Sequence, residues 1–135
     1  HHFVPPPWRM LNLLLTPLQI EALALASGAG GETFDHEFVV DASQGKLTEF
    51  AAIEALQVAA DLEFLTSSLL SGSKQQKKYD FSHDWVFRAI WLSLPQSRRT
   101  EMLTSLKPQR KKLEERMKVA ATSFLASQSH MSLVA

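Results

Sequence analysis

The most regular hydrophobic pattern of the chain lies in "LTEFAAIEALQVAADLEFLTSSLLSG", residues 47–72. Its apolar residues include Val58, Leu62, Leu65 and Leu69. Their spacings of four, three and four are those of one face of an α-helix. The polar positions form a narrow stripe of Glu54, Gln57, Asp61 and Ser68. A helix with so little polar surface belongs in the middle of a bundle, so we predict a long central helix that Gly72 ends.

A second apolar segment, "HDWVFRAIWLSL", follows Ser82, which can cap a helix. Arg88 is the only charged residue between Trp85 and Leu94, so the sequence predicts a second central helix that is buried nearly all round. Pro95 ends this helix, because a proline inside a helix loses a hydrogen bond and clashes with the preceding turn.

A further helix begins at "TPLQ", after a short apolar segment that covers residues 8–15. Thr16 can cap it, Pro17 suits the first helical position, and Gln19 completes a capping box. The helix continues through "IEALALAS", and we expect Gly28 to end it in the left-handed conformation.

Two helices are predicted in the last third of the chain. The first covers about residues 96–106, and Pro108 separates it from the second, which begins near Gln109. The second helix has an apolar stripe of Leu113, Met117, Ala120 and Phe124.

Three segments lack a helical pattern. The prolines of "FVPPPW" predict an extended arm over residues 3–7. In "TFDHEFVV" the alternation is strand-like, so a short extended segment near residues 33–41 either pairs with another strand or lies over the helices. The charged stretch "SKQQKKYD", residues 73–80, is interpreted as an exposed loop.

These elements predict an all-α fold, a compact bundle of about five helices in an irregular, orthogonal or solenoid-like arrangement. The 135 residues match one domain, 1–135, and residues 1–2 are interpreted as the remnant of a purification tag. Hydrophobic content of 45% and charged content of 21% are typical of a globular protein.

The composition bears on location. The chain contains no cysteine, which favours an intracellular protein, either cytoplasmic or nuclear and nucleolar. It has no run of about eighteen apolar residues, so we predict no contact with a membrane.

The net charge of zero hides a division of the chain. Residues 1–73 hold two basic and nine acidic residues, a net charge of −7, whereas residues 74–135 hold twelve basic and five acidic residues, a net charge of +7. Such asymmetry suggests an acidic partner or a nucleic acid. The simpler interpretation is that the two halves pack together and partly neutralise each other.

A basic double motif accounts for much of the positive half. It surrounds Pro95-Gln96 and Pro108-Gln109 and supplies eight candidate partner-binding or phosphate-binding residues. They are Arg98, Arg99, Lys107, Arg110, Lys111, Lys112, Arg116 and Lys118. On a helical wheel the cations of the last helix are spread, and no aromatic residue interleaves with them. The spread favours a solvated face over a protein or RNA contact surface, and all three interpretations stay open.

No pattern points to a reaction, a cofactor or a metal. Gly45-Lys46 lacks both the first glycine and the hydroxyl of a phosphate loop, and "SGAGGE" lacks dinucleotide-binding spacing. Ser82-His83-Asp84 are adjacent in a helix start and cannot form a catalytic triad. Catalysis would require a pocket that joins His36 with Asp35 or Glu37 and residues of the C-terminal half. We therefore predict no enzyme activity and no cofactor.

The aromatic residues divide into two groups. Trp85, Phe87 and Trp91 fall on a predicted central helix and are assigned to the core. Trp8 follows three prolines, and it is either a peripheral residue that docks on the bundle or an anchor for a partner chain.

The C-terminal half resembles a known family over about residues 62–128. "LEFLTSSLL", "DWVFRAIWLSL" and "LTSLKPQRKKLEERMKVAATSFLAS" are similar to the helical C-terminal domains of certain WD-repeat subunits of the small-subunit processome. Leu103, Leu106, Glu115, Arg116 and Met117 stand near the leucine-rich ending of those domains. The resemblance implies a module that binds neighbouring subunits in pre-ribosomal particles, without catalysis.

Together these observations predict a non-catalytic protein–protein interaction module that belongs to a larger intracellular assembly. Its partner is another protein or a second copy of the chain. The alternative is an RNA-binding module that uses the basic segment, residues 98–118.

Overall fold

The computed structural model of the chain describes residues 7–70 and 76–134, and within them the side chains of residues 11–70, 76–122 and 125. The described residues form seven helices and three strands. The helices are α1 (Pro7–Leu14), α2 (Pro17–Ser27), α3 (His36–Ala42), α4 (Glu49–Asp61), α5 (Asp84–Ser93), α6 (Gln96–Ser105) and α7 (Lys107–Val134). The strands are β1 (Phe34–Asp35), β2 (Leu65–Leu69) and β3 (Lys77–Phe81). The prediction of an all-α fold of about five helices is therefore wrong.

Helix α2 lies at the centre of the fold, where it packs against α1, α3, α4 and α5. Its start is as predicted, with the Thr16 side chain and Gln19 in a reciprocal capping box. Every residue from Ala22 to Ser27 is buried, because small and apolar side chains surround the whole helix. The sequence predicted that the helices at residues 47–72 and 83–94 are central, but α2 is the most central helix of the fold.

Gly28 follows α2 in the right-handed conformation, with φ of −67°, so the expected left-handed ending is wrong. A glycine is needed there for space. A Cβ atom at this position would stand 2.7 Å from Cδ1 of Leu106 and 3.0 Å from Cε of Met102. The missing side chain lets α6 approach the end of α2.

The segment near residues 33–41 is mostly helical, which corrects the extended segment predicted there. Only Phe34 and Asp35 form a strand, and α3 begins immediately afterwards. The carboxylate of Asp35 accepts a hydrogen bond from the backbone N–H of Phe38 at 2.9 Å, so it caps the helix. Phe34 and Phe38, both fully buried, are four positions apart, a spacing that fits a helix as well as a strand.

Helix α4 ends at Asp61, eleven residues before the predicted end at Gly72. Glu63 adopts a left-handed φ of 66°, and the N–H of Phe64 donates to the carbonyl of Ala59 at 2.9 Å. These are the features of a Schellman motif, with glutamate where glycine is usual. The chain then leaves in the direction of β2, so the leucines beyond Asp61 do not extend the helical face.

The three strands form one antiparallel sheet in the order β1-β3-β2. Strand β3 includes residues 77–80 of the loop predicted at 73–80, which corrects that prediction; residues 73–75 lie outside the described residues. Leu65 pairs with Phe81 and Leu69 with Lys77 in an unbroken register. The inner face of the sheet carries Phe34 and Tyr79, whose rings stack at 5.9 Å.

Helices α3 and α4 are joined by a short turn and form a helix-turn-helix unit, which strands β2 and β3 follow along the chain. The turn of residues 43–48 joins α3 to α4 and contains Gly45 with φ of 88°. In "DASQGKLT" the glycine therefore serves a turn between helices.

Helix α5 is peripheral, which corrects the prediction that it is buried nearly all round. Val86 and Ile90 are buried, but Trp85 is 54% exposed and Leu92 is 63% exposed. The residue before the helix is His83, and the Ser82 hydroxyl instead donates to the carbonyl of Glu63 at 2.6 Å. Ser82 therefore fastens the end of β3 to the turn after α4 rather than capping α5.

The remaining helices lie close to their predicted positions. Pro95 separates α5 from α6, as the sequence indicated. Helix α7 begins at Lys107, so Pro108 stands in its first turn, where a proline is tolerated. Leu113 is buried and Met117 packs against the core. The side chain of Phe124 lies outside the described residues.

Two further predictions concern the N-terminal arm and membrane-spanning helices. Pro7 is the first residue of α1, so the predicted arm of residues 3–7 is not extended at that position; residues 3–6 lie outside the described part of the chain. In residues 7–70 and 76–134 we find no helix with the length and apolar character needed to cross a lipid bilayer.

Candidate protein-interaction surface

Arg116, one of the eight basic candidates, is directed into the protein. Its Nε and Nη2 donate to the two carboxylate oxygens of Asp35 at 2.7 and 2.8 Å. Glu37 lies 3.5 Å from the same Nε. The hydrogen bond to Asp35 raises the pKa of the Arg116 guanidinium, and burial opposes that effect. Arg116 therefore joins α7 to the start of α3.

Two further arginines of the basic segment make internal contacts. Arg98 forms an ion pair with Glu21 of α2. Arg110 donates to the carbonyl of Gly28, just after α2, at 3.3 Å. It also donates to the carbonyl of Leu103, in the last turn of α6, at 2.6 Å. Arginines 98 and 116 pair with acidic residues of the negative half, as expected if the two halves partly neutralise each other.

The other five candidates do not converge on one surface. Lys118 pairs with Glu114 of its own helix at 3.2 Å. The Nε of Arg99 is buried and has no hydrogen-bond partner among the described residues. The exposed lysines of the first turns of α7 are Lys107, Lys111 and Lys112. Among the described residues, these three of the eight candidates are exposed and take part in no ion pair.

The acidic residues around His36 form a shallow site. The Nε2 atom of His36 lies 3.2 Å from a carboxylate oxygen of Glu49. A cavity of about 120 Å³ beside them is also lined by Glu37, Val40 and Asp41. Its described lining includes no residue of the C-terminal half. Among the described residues, no group of three or more His, Asp or Glu side chains is arranged to hold a metal ion.

The side chains of Ser82, His83 and Asp84 point to different neighbours. The Ser82 hydroxyl faces the carbonyls of residues 63 and 64, the His83 ring stacks on Trp85 at 6.0 Å, and Asp84 pairs with Arg88 at 2.7 Å. The three side chains serve three different contacts.

The surface with the most unusual composition is the outer side of α4. We define the α4 face as Glu49, Phe50, Ile53, Glu54, Gln57 and Asp61. The Phe50 side chain is 77% exposed and Ile53 is 40% exposed. Glu49, Glu54 and Asp61 are exposed around them. An apolar centre within an acidic rim is thus presented to solvent.

The fold positions the α4 face rigidly. The Thr48 side chain accepts a hydrogen bond from the N–H of Ala51 at 3.1 Å and caps the helix. The opposite side of the helix is buried through Ala52, Ala55, Leu56 and Ala59. Since α4 packs against both α2 and α3, its outer side faces away from the core.

The charge of the α4 face determines what it can bind. The second helix of a DNA-binding helix-turn-helix enters the major groove, and binding to phosphates requires Lys or Arg. Helix α4 contains no Lys or Arg and has three carboxylates, those of Glu49, Glu54 and Asp61. This surface would therefore repel a nucleic acid and attract a basic protein surface.

Phe50 and Ile53 were not among the residues singled out in the sequence, because the long pattern around them predicted a buried helix. A signal was present. Phe50, Ile53, Gln57 and Asp61 follow one another at spacings of three, four and four, so the two apolar residues share the polar stripe.

Comparisons of the chain with protein-family models, with curated proteins and with solved structures find no match. The other candidate, Trp8, belongs to α1, but its side chain lies outside the described residues.

Proposed function

We propose that this protein is a non-catalytic protein–protein interaction module of a larger intracellular assembly, and that it binds its partner through the α4 face. The observation that carries the proposal is the exposure of Phe50 and Ile53 inside an acidic rim on the second helix of a helix-turn-helix.

The composition of the α4 face matches the anatomy of protein interfaces. Such interfaces have an apolar centre, often aromatic, that is surrounded by polar residues which exclude water when the partner binds. Phe50 supplies the aromatic centre, and Ile53 extends it by one helical turn. The carboxylates of Glu49, Glu54 and Asp61 favour a partner with Lys or Arg at its rim.

An RNA-binding module remains the second candidate, supported by the exposed lysines at positions 107, 111 and 112. Its weakness is that Arg98, Arg110 and Arg116 are engaged in internal contacts. Three lysines provide few phosphate contacts, and the affinity of a phosphate-binding protein increases with the number of phosphates that it neutralises.

The intracellular location is part of the proposal and is favoured by the absence of cysteine. The resemblance to helical domains of the small-subunit processome would make that assembly a pre-ribosomal particle, and this remains a prediction. The α4 face is argued independently of it.

The test is affinity purification of tagged chain from its native source with quantitative comparison of variants. Phe50→Ala with Ile53→Ala should abolish recovery of the partner, because the variant lacks the two apolar side chains that would pack against the partner. The matched control is Leu103→Ala, which truncates an apolar side chain of α6 that is also about half exposed. Circular dichroism should show that both variants fold.

A further arm of the test separates the two candidate functions. Replacing lysines 107, 111 and 112 with glutamate should leave the protein partner bound if the α4 face is the interface. Recovery of RNA with the unaltered chain, lost in the lysine variant and falling steeply with salt, would favour the RNA-binding function. An unchanged set of proteins bound to the Phe50 and Ile53 variant would overturn the proposal.

A further inference from the structure

Strand β2 is an edge of the sheet, because the strand order is β1-β3-β2. Four of its five residues, Thr66 to Leu69, are exposed. In the described part of the chain, β2 makes its main contacts with β3 and with α4, the helix that precedes it. Its outer side is therefore open to solvent.

The register determines which backbone groups lie on the open side. The N–H of Leu70 donates to the carbonyl of Gln76 at 2.8 Å, and the N–H of Ser82 donates to that of Phe64 at 3.0 Å. In an antiparallel pair, bonded residues alternate with residues whose N–H and C=O groups face outward. The outward groups of β2 thus belong to Leu65, Ser67 and Leu69.

The residues that the structure describes along this edge lack the usual protection. Natural proteins guard exposed edges with lysine, proline, a bulge or a covering segment. The sequence of β2, "LTSSL", has no charge and no proline, and its register with β3 contains no bulge. An unguarded edge of this kind can accept an added strand from another chain.

A cavity of about 590 Å³ lies beside the edge, at the C-terminal end of α4. Its lining includes Gln57, Asp61, Glu63, Leu65, Ser67 and His83. The described lining contains two carboxylates and no Lys or Arg. The side-chain amide of Gln57 donates to the Asp61 carboxylate at 2.9 Å and accepts from the Lys77 ammonium group at 3.0 Å. These two bonds hold one wall of the cavity in place.

We infer that β2 receives an extended segment of a partner protein, which pairs with the backbone of Leu65, Ser67 and Leu69. The segment places a Lys or Arg side chain in the cavity beside Asp61 and Glu63. Backbone pairing supplies affinity, and the carboxylates supply selectivity for a basic side chain. This surface shares Gln57 and Asp61 with the α4 face but not its apolar centre, Phe50 and Ile53. Strand pairing at β2 therefore does not require that the apolar centre binds a partner.

The probe for this inference is a fluorescein-labelled heptapeptide of alternating Thr and Val with a central Lys. Its binding to the full chain is followed by fluorescence anisotropy. We expect binding that weakens about tenfold when the central Lys is replaced by Glu, because the cavity is acidic. The variant Asp61→Asn with Glu63→Gln should lose this selectivity and bind both peptides similarly, because it lacks the two carboxylates of the cavity.

The backbone contacts are tested with Ser67→Pro, which removes an outward N–H without removing a bond to β3. The control, Ser67→Thr, keeps that N–H. Methylation of alternate backbone nitrogens of the peptide tests the same contacts with an unaltered protein. Amide exchange measured by NMR should slow at Leu65, Ser67 and Leu69 when the peptide binds, and stay unchanged at Thr66 and Ser68.

Absence of binding, or equal binding by Ser67→Pro and Ser67→Thr, would overturn the inference. It would also fail if the amides of Leu65, Ser67 and Leu69 were already protected without peptide and sedimentation showed a dimer. In that outcome the edge would be occupied by a second copy of the chain.

Discussion

Arg116 of α7 binds both carboxylate oxygens of Asp35, although 81 positions separate the two residues in the chain. Asp35 ends β1, caps α3 and receives the guanidinium at the same time. One buried carboxylate therefore connects the sheet, the helix-turn-helix and the last helix.

We expect Arg116→Met to lower the free energy of unfolding by about 2–3 kcal/mol, because it leaves the buried Asp35 carboxylate without its cation. Urea denaturation measures the effect. In an Asp35→Asn background the same substitution should cost less, since asparagine can cap α3 and needs no cation. Lys118→Ala, which breaks an exposed pair, should change stability by no more than about 0.5 kcal/mol. Equal costs in both backgrounds would contradict the role assigned to Asp35.

We expect the stability of the protein to fall as the pH rises above about 10, because burial raises the pKa of Tyr79 from 10.0. The raised pKa means that the folded state holds the phenolic proton more tightly. The contribution is therefore complete below the pKa of the unfolded chain and is lost as pH rises through that of the folded protein.

The chain contains one tyrosine, so phenolate absorbance near 295 nm reports on Tyr79 alone. Its midpoint should lie above that of the urea-unfolded chain. Tyr79→Phe should remove this part of the alkaline loss of stability. Identical midpoints in folded and unfolded protein would show that the ring is not buried as described.

We expect Glu63→Gly to stabilise the protein by about 0.5–1 kcal/mol, because glycine adopts the left-handed conformation without the cost that other residues pay. Thermal and urea denaturation measure the change. Glu63→Ala is the control and should have a smaller effect, since alanine keeps a Cβ atom. A loss of stability in the glycine variant would mean that the Glu63 side chain contributes more than its backbone strain costs.

We expect Gly28→Ala to lower the free energy of unfolding by about 1–3 kcal/mol, because the new methyl group would overlap Leu106 and force α6 away from α2. In a Leu106→Ala background, where that side chain is absent, the cost should be smaller. The double-mutant cycle is measured by urea denaturation. A simple sum of the two single effects would show that Leu106 is not the obstacle.

The features that the sequence predicted correctly depend on neighbouring residues. Thr16, Pro17 and Gln19 form a helix start whatever the rest of the chain does, and Pro95 separates two helices for the same reason. The spread of the basic residues around the last helix is also a local property. In the structure these side chains point to different partners.

The features that the sequence did not reveal depend on distant residues. Leu62, Leu65 and Leu69 keep a helical spacing, but the left-handed Glu63 and the pairing with β3 make Leu65–Leu69 a strand. Phe50 appeared to belong to a core, because exposure depends on which elements pack against α4. The contact of Arg116 with Asp35 carries no local signal.

The arginines at positions 98, 110 and 116 have a consequence for synthesis on the ribosome. The acidic half emerges first. Glu21, the Gly28 carbonyl and Asp35 gain their arginine partners only after residues 98–116 have been synthesised. The helix-turn-helix can begin to form during translation, but its final rigidity depends on α6 and α7 leaving the exit tunnel. A stalled chain that lacks these helices would expose an uncompensated acidic surface to the cell.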